Sequence, residues 1–290
     1  MEIDDAGGDP ARLAKAILDQ MPGHTGPVPV RDIATALDII EIRESALDGL
    51  EGGLIAPSDK SEGAILVNAR RSERRKRYTI GHELGHYVNP WHRPATTDGF
   101  RCRAADMVQE RFNRNDRAAK MEVEANQFAA ELLMPSHLMN AFLRNCDGAE
   151  MQHILDLSDE FDVSRESAAR RYVSRANEPC AIVFSRDGIV RYAKAHQRFP
   201  RLAVWGRDPL PSGCLSLRSD TPQGTPSQWA EVSGDIWLSN ADRSAVYEQT
   251  IAQKNNFRMT LLTLDEADED VYDDAEEEWV PPTLHRSGRR

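Results

Sequence analysis

The sequence has no long apolar run. Its longest, AILV at 64–67 and LLM at 132–134, fall far below the ~20 residues that a membrane-spanning helix needs. Cysteine is scarce. Cys102, Cys146, Cys180 and Cys214 lie at least 34 residues apart and form no CxxC pair, which argues against a cysteine-built zinc site and a disulfide scaffold. The first residues, MEIDDAGGDP, are acidic and lack an apolar signal core, so a cytoplasmic protein with free thiols is expected. No repeat recurs at a solenoid period. Hydrophobic residues at 40% and charged residues at 29% are ordinary for a globular chain, and 290 residues leave room for about two domains. A net charge of −11 implies an acidic protein, but ten of the carboxylates sit within 265–278 (DEADEDVYDDAEEE). Setting these aside leaves 36 basic against 37 acidic residues, a net of −1. The body is therefore nearly neutral and carries an acidic, self-repelling tail that reads as disordered.

Periodicity divides the rest. A short helix is expected over 11–21, stopped by Pro22-Gly23. Val30, Ile33, Ala34, Leu37 and Ile40 follow at helical spacing. Short strands are predicted around Leu54–Ala56 and Ala64–Asn68, then helices at 72–88, 116–134, 150–161 and 164–175. From Pro179 the pattern becomes β-rich. CAIVFS and IVRYAK flank a tight Asp187-Gly188 turn, and LAVWG, CLSLRS, Trp229–Val232 and Asp235–Leu238 are further strand candidates.

The sharpest chemical feature is His82-Glu83-Leu84-Gly85-His86, an HExxH. On a helix, positions i and i+4 share a face, so both imidazoles reach one metal ion. Glu83 sits ~100° further round, where it acts on water rather than ligating. Ile80, Leu84, Tyr87 and Val88 form the apolar side, while Gly81 and Gly85 flank the histidines and leave room for an ion or a chain.

A zinc hydrolase needs a third protein ligand, and two candidates compete. His92 follows His86 by six residues, the metzincin spacing, although Pro90 disfavours the turn at Asn89 that this spacing requires. Glu122 is the other. On a helix over 117–134, Lys120, Glu124, Gln127 and Glu131 form a polar face, and Glu122 falls in the apolar arc beside Ala125, Ala129 and Leu133. A carboxylate there needs a partner, either a metal or an arginine of the 70–77 run. Asn126, one turn on, is placed to support the site.

RRKRYTIGHELGHYV (74–88) followed by EVEANQFAAELLMP (122–135) resembles the ImmA/IrrE family of bacterial zinc metallopeptidases. In that family an HExxH helix precedes a Glu-x-x-Ala-Asn-x-Phe-Ala helix that ends in Leu-Leu-Met-Pro. The resemblance covers about 30–145, with Tyr78 where Phe is usual and Gly81 where Ala is usual. It implies His82, His86 and Glu122 as zinc ligands and Glu83 as general base, with Mn2+ or Fe2+ as other ions the site would accept. Tyr78, Tyr87 and His92 are candidate oxyanion donors. Ile65, Val67 and Asn68 lie on a strand that resembles the edge strand along which zincins lay an extended substrate. The implied activity is endopeptidase cleavage of a helix-turn-helix transcriptional repressor, derepressing stress, phage or mobile-element genes.

The fold expected is α+β. An N-terminal helix and hinge (1–29) precede a zincin-like domain with a small sheet (30–145), a helix-turn-helix-like extension (146–177), a β-rich accessory or sensor-like domain (178–264) and the acidic tail (265–290). The other reading is a DNA-binding or toxin–antitoxin regulator with a peptidase-like fold and little turnover. It rests on the six basic residues of 70–77 and on Arg165, Arg170, Arg171 and Arg175 of a helix capped by Ser164. DNA contact is the less favoured of the two.

Overall fold

The computed structural model describes residues 3–94, 99–108, 116–218, 220–240 and 245–264. The acidic segment 265–278 lies outside them. The chain starts with helix α1 (Pro10–Leu18), capped by Asp9, whose carboxylate accepts from Arg12 N, and with proline at the first helical position. Helix α2 (Val30–Ala36) is shorter than the periodicity predicts. Asp38 takes a positive φ of 64°, the helix stops, and the β-branched run that follows becomes strand β1 (Ile39–Ser45), with Ile40 exposed. Strands β2 (Gly52–Ile55) and β3 (Gly63–Asn68) come next, and then helix α3 (Glu73–Val88), which carries the HExxH.

Strand β4 (Phe100–Cys102) completes a four-stranded sheet in the order β1-β3-β2-β4. Strand β3 runs parallel to β1 and antiparallel to β2. It is therefore an interior strand with both ladders occupied, and the expectation that Ile65, Val67 and Asn68 offer an open edge to a substrate is corrected. β-Augmentation needs unpaired N–H and C=O groups, and β3 has given its own to its neighbours.

Helix α4 (Arg117–Leu133) packs along α3, followed by α5 (Ser136–Leu143), which is not among the helices expected from periodicity. Helices α6 (Met151–Glu160) and α7 (Arg165–Arg175) match the expected pair, and Ser164 Oγ accepts from Ser167 N as the N-cap of α7.

The second sheet is antiparallel, ordered β6-β5-β9-β8-β7, from β5 (Cys180–Arg186), β6 (Ile189–Ala195), β7 (Ala230–Ser233), β8 (Ala245–Ala252) and β9 (Phe257–Thr263). Asp187 and Gly188, both at positive φ, turn β5 into β6 as expected. Ile182, Phe184, Met259 and Leu261 face the helices, while Ala181, Val183 and Leu262 face a second apolar cluster around Trp237. The helix-facing cluster is continuous from α1 through α3, α4, α6 and α7 to this sheet. LAVWG, CLSLRS and Asp235–Leu238 are not strands. Leu215–Leu217 and Gly234–Ile236 are single 3₁₀ turns that lay Cys214 and Trp237 into the second cluster.

Candidate metal centre

Four donor side chains from three elements meet at one point. Helix α3 supplies His82 and His86, α4 supplies Glu122 and β4 supplies Cys102, with donor atoms all within 4.8 Å of one another. His82 Nε2 and His86 Nε2 are 3.1 Å apart. Glu122 Oε2 is 3.1 Å from His82 Nε2, and Oε1 is 3.6 Å from His86 Nε2. His82, Glu83, His86 and Cys102 are fully buried.

Glycine makes the approach of α4 possible. A Cβ at Gly85 would stand 3.0 Å from Ala125 Cα and 3.2 Å from Ala125 O, so the two helices nearly touch backbone to backbone one turn from Glu122. Gly81 lies against Ala129. The space beside these glycines is filled by α4. The other end of α3 is anchored by Lys60, whose Nζ donates to His86 O and Asn89 O at 2.6 and 2.7 Å, satisfying carbonyls that the helix end leaves open.

Hydrogen bonds fix the tautomer of each imidazole. Asn126 Nδ2 donates to Asp106 O, which turns Asn126 Oδ1 toward His82 Nδ1 at 3.0 Å, and Tyr78 Oη donates to the same oxygen. His82 therefore carries its proton on Nδ1. His86 Nδ1 is 3.0 Å from His92 Nδ1, and His92 Nε2 is 3.0 Å from Glu124 Oε2. The Glu124 carboxylate only accepts, so His92 donates from Nε2, accepts at Nδ1, and leaves His86 protonated on Nδ1. Both Nε2 lone pairs then face each other and the Glu122 carboxylate. The stacked ring of Phe100, 4.2 Å from that of His86, helps hold the second imidazole in place.

This arrangement fits a metal ion. Two lone pairs and a carboxylate pointed at one another repel unless a cation lies between them, and Glu122 Oε2, although 3.1 Å from an imidazole nitrogen, accepts no well-directed hydrogen bond. The observed separations of 3.1, 3.1 and 3.6 Å bracket the ~3.3 Å that bonds of ~2.0–2.1 Å place between ligands of a tetrahedral zinc. Without an ion, a proton on His82 Nε2 takes its place: burial pushes the Glu122 carboxyl up and the His82 imidazole down, but their charge pairing outweighs burial, holding the carboxyl well below and the imidazole above its usual range. Burial drives His86 down to about 3, keeping it neutral as a ligand must be.

Glu83 sits beside this group without joining it. No well-directed hydrogen bond reaches either carboxylate oxygen, the Cys102 thiol lies against the group, and burial raises its pKa to about 7. A carboxylate poised near neutrality and lacking a fixed partner is suited to take a proton from water.

The remaining expected residues are distributed around this centre. Asn126, Tyr78 and His92 support the imidazoles. Tyr87 Oη donates to Lys60 O at the helix end. Ile65 and Val67 are buried in β3, and Asn68 Nδ2 donates to Leu47 O and Leu50 O, tying down the turn before β2. No arginine of the 70–77 run reaches Glu122. Arg70 pairs with Asp48, Arg71 and Arg75 with Glu51, Arg74 with Asp159 and Asp162, Lys76 with Glu44 and Glu73, and Arg77 with Asp162. In α7, Arg170 donates to Met107 O, Arg171 pairs with Glu131, and Arg175 donates to Asn140 Oδ1.

Cys102, Glu124 and Lys60 went unnoticed in the sequence as parts of this centre. Glu124 stands on the polar face of its helix like any solvated carboxylate, and an isolated cysteine has no spacing that reveals a metal partner.

An HExxH helix crossed by a glutamate-bearing helix beside a small mixed sheet defines a metallopeptidase-like domain. Residues 46–172 match the family model Peptidase_M78, described as an IrrE N-terminal-like domain. The match ends within α7, leaving the second sheet outside it. A curated relative, the uncharacterized immunity region protein 2 of Bacillus phage phi105, is 30% identical over 112 residues, which are 35% of this chain and 63% of the relative. Among solved structures, a Mycobacterium tuberculosis transcriptional regulator superposes with a TM-score of 0.54 at 13% identity, over 90% of this chain and 77% of that one. At that identity the likeness is one of fold, and it extends across both sheets. Among the described residues no helix is long and apolar enough to cross a membrane.

Proposed function

We propose that the chain is a zinc-dependent endopeptidase acting on a helix-turn-helix transcriptional repressor. His82, His86 and Glu122 would hold the ion. The observation that carries this reading is the tautomer-fixed convergence of the two Nε2 lone pairs on the Glu122 carboxylate beside an unpartnered Glu83. When bound, the ion supplies Lewis acidity toward water and a peptide carbonyl. Glu83 takes the proton of the attacking water and returns it to the leaving amine. Asn126 and the His92–Glu124 pair keep the imidazoles aligned through that transfer.

The immunity-region name of the phage relative supports a regulatory role for such a cut. A DNA-binding regulator draws less support, because the basic residues of the 70–77 run and Arg171 are ion-paired within the chain. The test is to mix the purified protein and zinc with the repressor encoded nearest its gene and to read intact masses. A single discrete cut by the wild type and none by Glu83→Gln is expected. A repressor left uncut by both the zinc-loaded wild type and a zinc-loaded Cys102→Ala variant would refute this substrate.

A further inference from the structure

We propose that Cys102 is a fourth protein ligand of the metal and that β4, which carries it, is a built-in strand closing the centre. The inference rests on the metallopeptidase reading and goes beyond it, because a site with four protein ligands has no position left for water.

Backbone geometry sets β4 in place. It pairs antiparallel with β2 through Gly52↔Cys102, Gly53↔Arg101 and Leu54↔Phe100. Alternation along a strand turns Phe100 and Cys102 to the same buried face and Arg101 to the outside. On that face Phe100 stacks on His86, and the Cys102 sulfur comes within 4.8 Å of all three other donors.

Glycines on both sides allow this seating. A Cβ at Gly53 would lie 2.7 Å from Phe100 O, and one at Gly99, at φ +84°, would lie 2.2 Å from Leu54 O. A Cβ at Gly52, the partner of Cys102, would lie 3.2 Å from Glu83 Oε1. The thiol, the unpartnered Glu83 carboxylate and the imidazoles thus share one buried space.

The chemistry of the thiol agrees. Cys102 is free of any disulfide and is buried beside the Glu83 and Glu122 carboxylates, where a thiol without a metal stays protonated and inert. Coordination gives such a sulfur a role and zinc a ligand it favours.

The position of β4 has a second meaning. An extended chain laid antiparallel on a sheet edge beside an HExxH helix is the pose in which a sheet binds an added peptide strand. Here that edge belongs to β2, and β4 already occupies it. Strand β4 therefore blocks the substrate's ladder and the water position together. Its hold is only three residues long, so its release is a local event rather than unfolding of the domain.

The test uses the full-length protein loaded with Co2+ in place of zinc, read by absorption alongside metal stoichiometry. The wild type should bind one Co2+ and show a near-ultraviolet thiolate-to-metal charge-transfer band. Cys102→Ser and Cys102→Ala, verified as folded by circular dichroism, should still bind one ion through His82, His86 and Glu122 but lose that band. Their zinc affinity should fall at least the ~10-fold typical of losing a supporting residue, and repressor cleavage should become faster than in the wild type. One bound Co2+ without the band in the wild type would overturn the role of Cys102 and leave the three-ligand site standing. No Co2+ bound at all would overturn both.

Discussion

Replacing Gly85 by alanine should push α4 off α3 and loosen Glu122 from the two imidazoles, whereas the same change at Gly81 should stabilise the protein. Both glycines lie inside α3, so each substitution gains about 1 kcal/mol of helix propensity. At Gly81 the added methyl meets Ala129 Cβ at 3.5 Å, Ala129 Cα at 3.6 Å and Leu133 Cδ1 at 3.7 Å, all ordinary contacts. At Gly85 it meets Ala125 Cα at 3.0 Å and Ala125 O at 3.2 Å, backbone atoms that move only with the whole helix. Overpacking of that kind costs about 1–3 kcal/mol. Propensity cancels between the two variants, so Gly85→Ala should be the less stable by about 1–3 kcal/mol in urea denaturation. Because Ala125 lies one turn from Glu122, zinc affinity should drop about 10-fold or more in Gly85→Ala and hold in Gly81→Ala. Equal stability and equal zinc affinity in the two variants would refute the claim that the helix contact positions the ligand.

Two further outcomes concern charge. In the metal-free protein the Glu83 carboxyl titrates near 7, raised from 4.5 by burial. The folded state therefore holds a proton that the unfolded state has lost, and stability should fall by about 3 kcal/mol as pH rises from about 4.5 to 7. Glu83→Gln should flatten that slope, as measured by urea midpoints at pH 5 and 7.5, and an unchanged slope would assign the titration elsewhere. Burial raises the Glu166 carboxyl, but Arg191 and Tyr192 of β6 outweigh it and hold it below its usual range. Its contribution is present above about 4.5 and lost as pH falls through the lower folded value. Glu166→Gln should cost about 1.5–3 kcal/mol at pH 7, and the difference from wild type should vanish in acid.

The metal motif was readable because helical spacing alone puts His82 and His86 on one face, and because Glu122 breaks an otherwise apolar arc. Cys102 was not readable. Its approach depends on pairing between β4 and β2, whose partners Cys102 and Gly52 are far apart in the chain and share no motif. His92 was legible as a neighbour of the site, and its contact with His86 Nδ1 rather than with the converging Nε2 atoms needed coordinates.

In the second sheet, β8 escaped notice because three of its five buried positions, Glu248, Gln249 and Thr250, are polar. Glu248 accepts from Leu215 N and Trp237 Nε1, and Gln249 Oε1 accepts from Met151 N, so no apolar alternation marks the strand. Conversely, the apolar residues of LAVWG and CLSLRS mimic strands while serving turns that fill the second cluster. The first two residues of β1 read as helix because Ile40 continues the 3.6-residue spacing, and the left-handed turn at Asp38 that ends α2 leaves little trace in composition.

The most direct measurement is the zinc content of the purified protein and of two variants, by elemental mass spectrometry after dialysis. One zinc per wild-type chain, a partial and readily dialysed complement in Glu122→Ala, where only the two imidazoles and Cys102 remain, and one zinc retained by His92→Ala is the expected pattern, since His92 only orients His86. Full zinc in Glu122→Ala with loss in His92→Ala would contradict the assignment of the ligands.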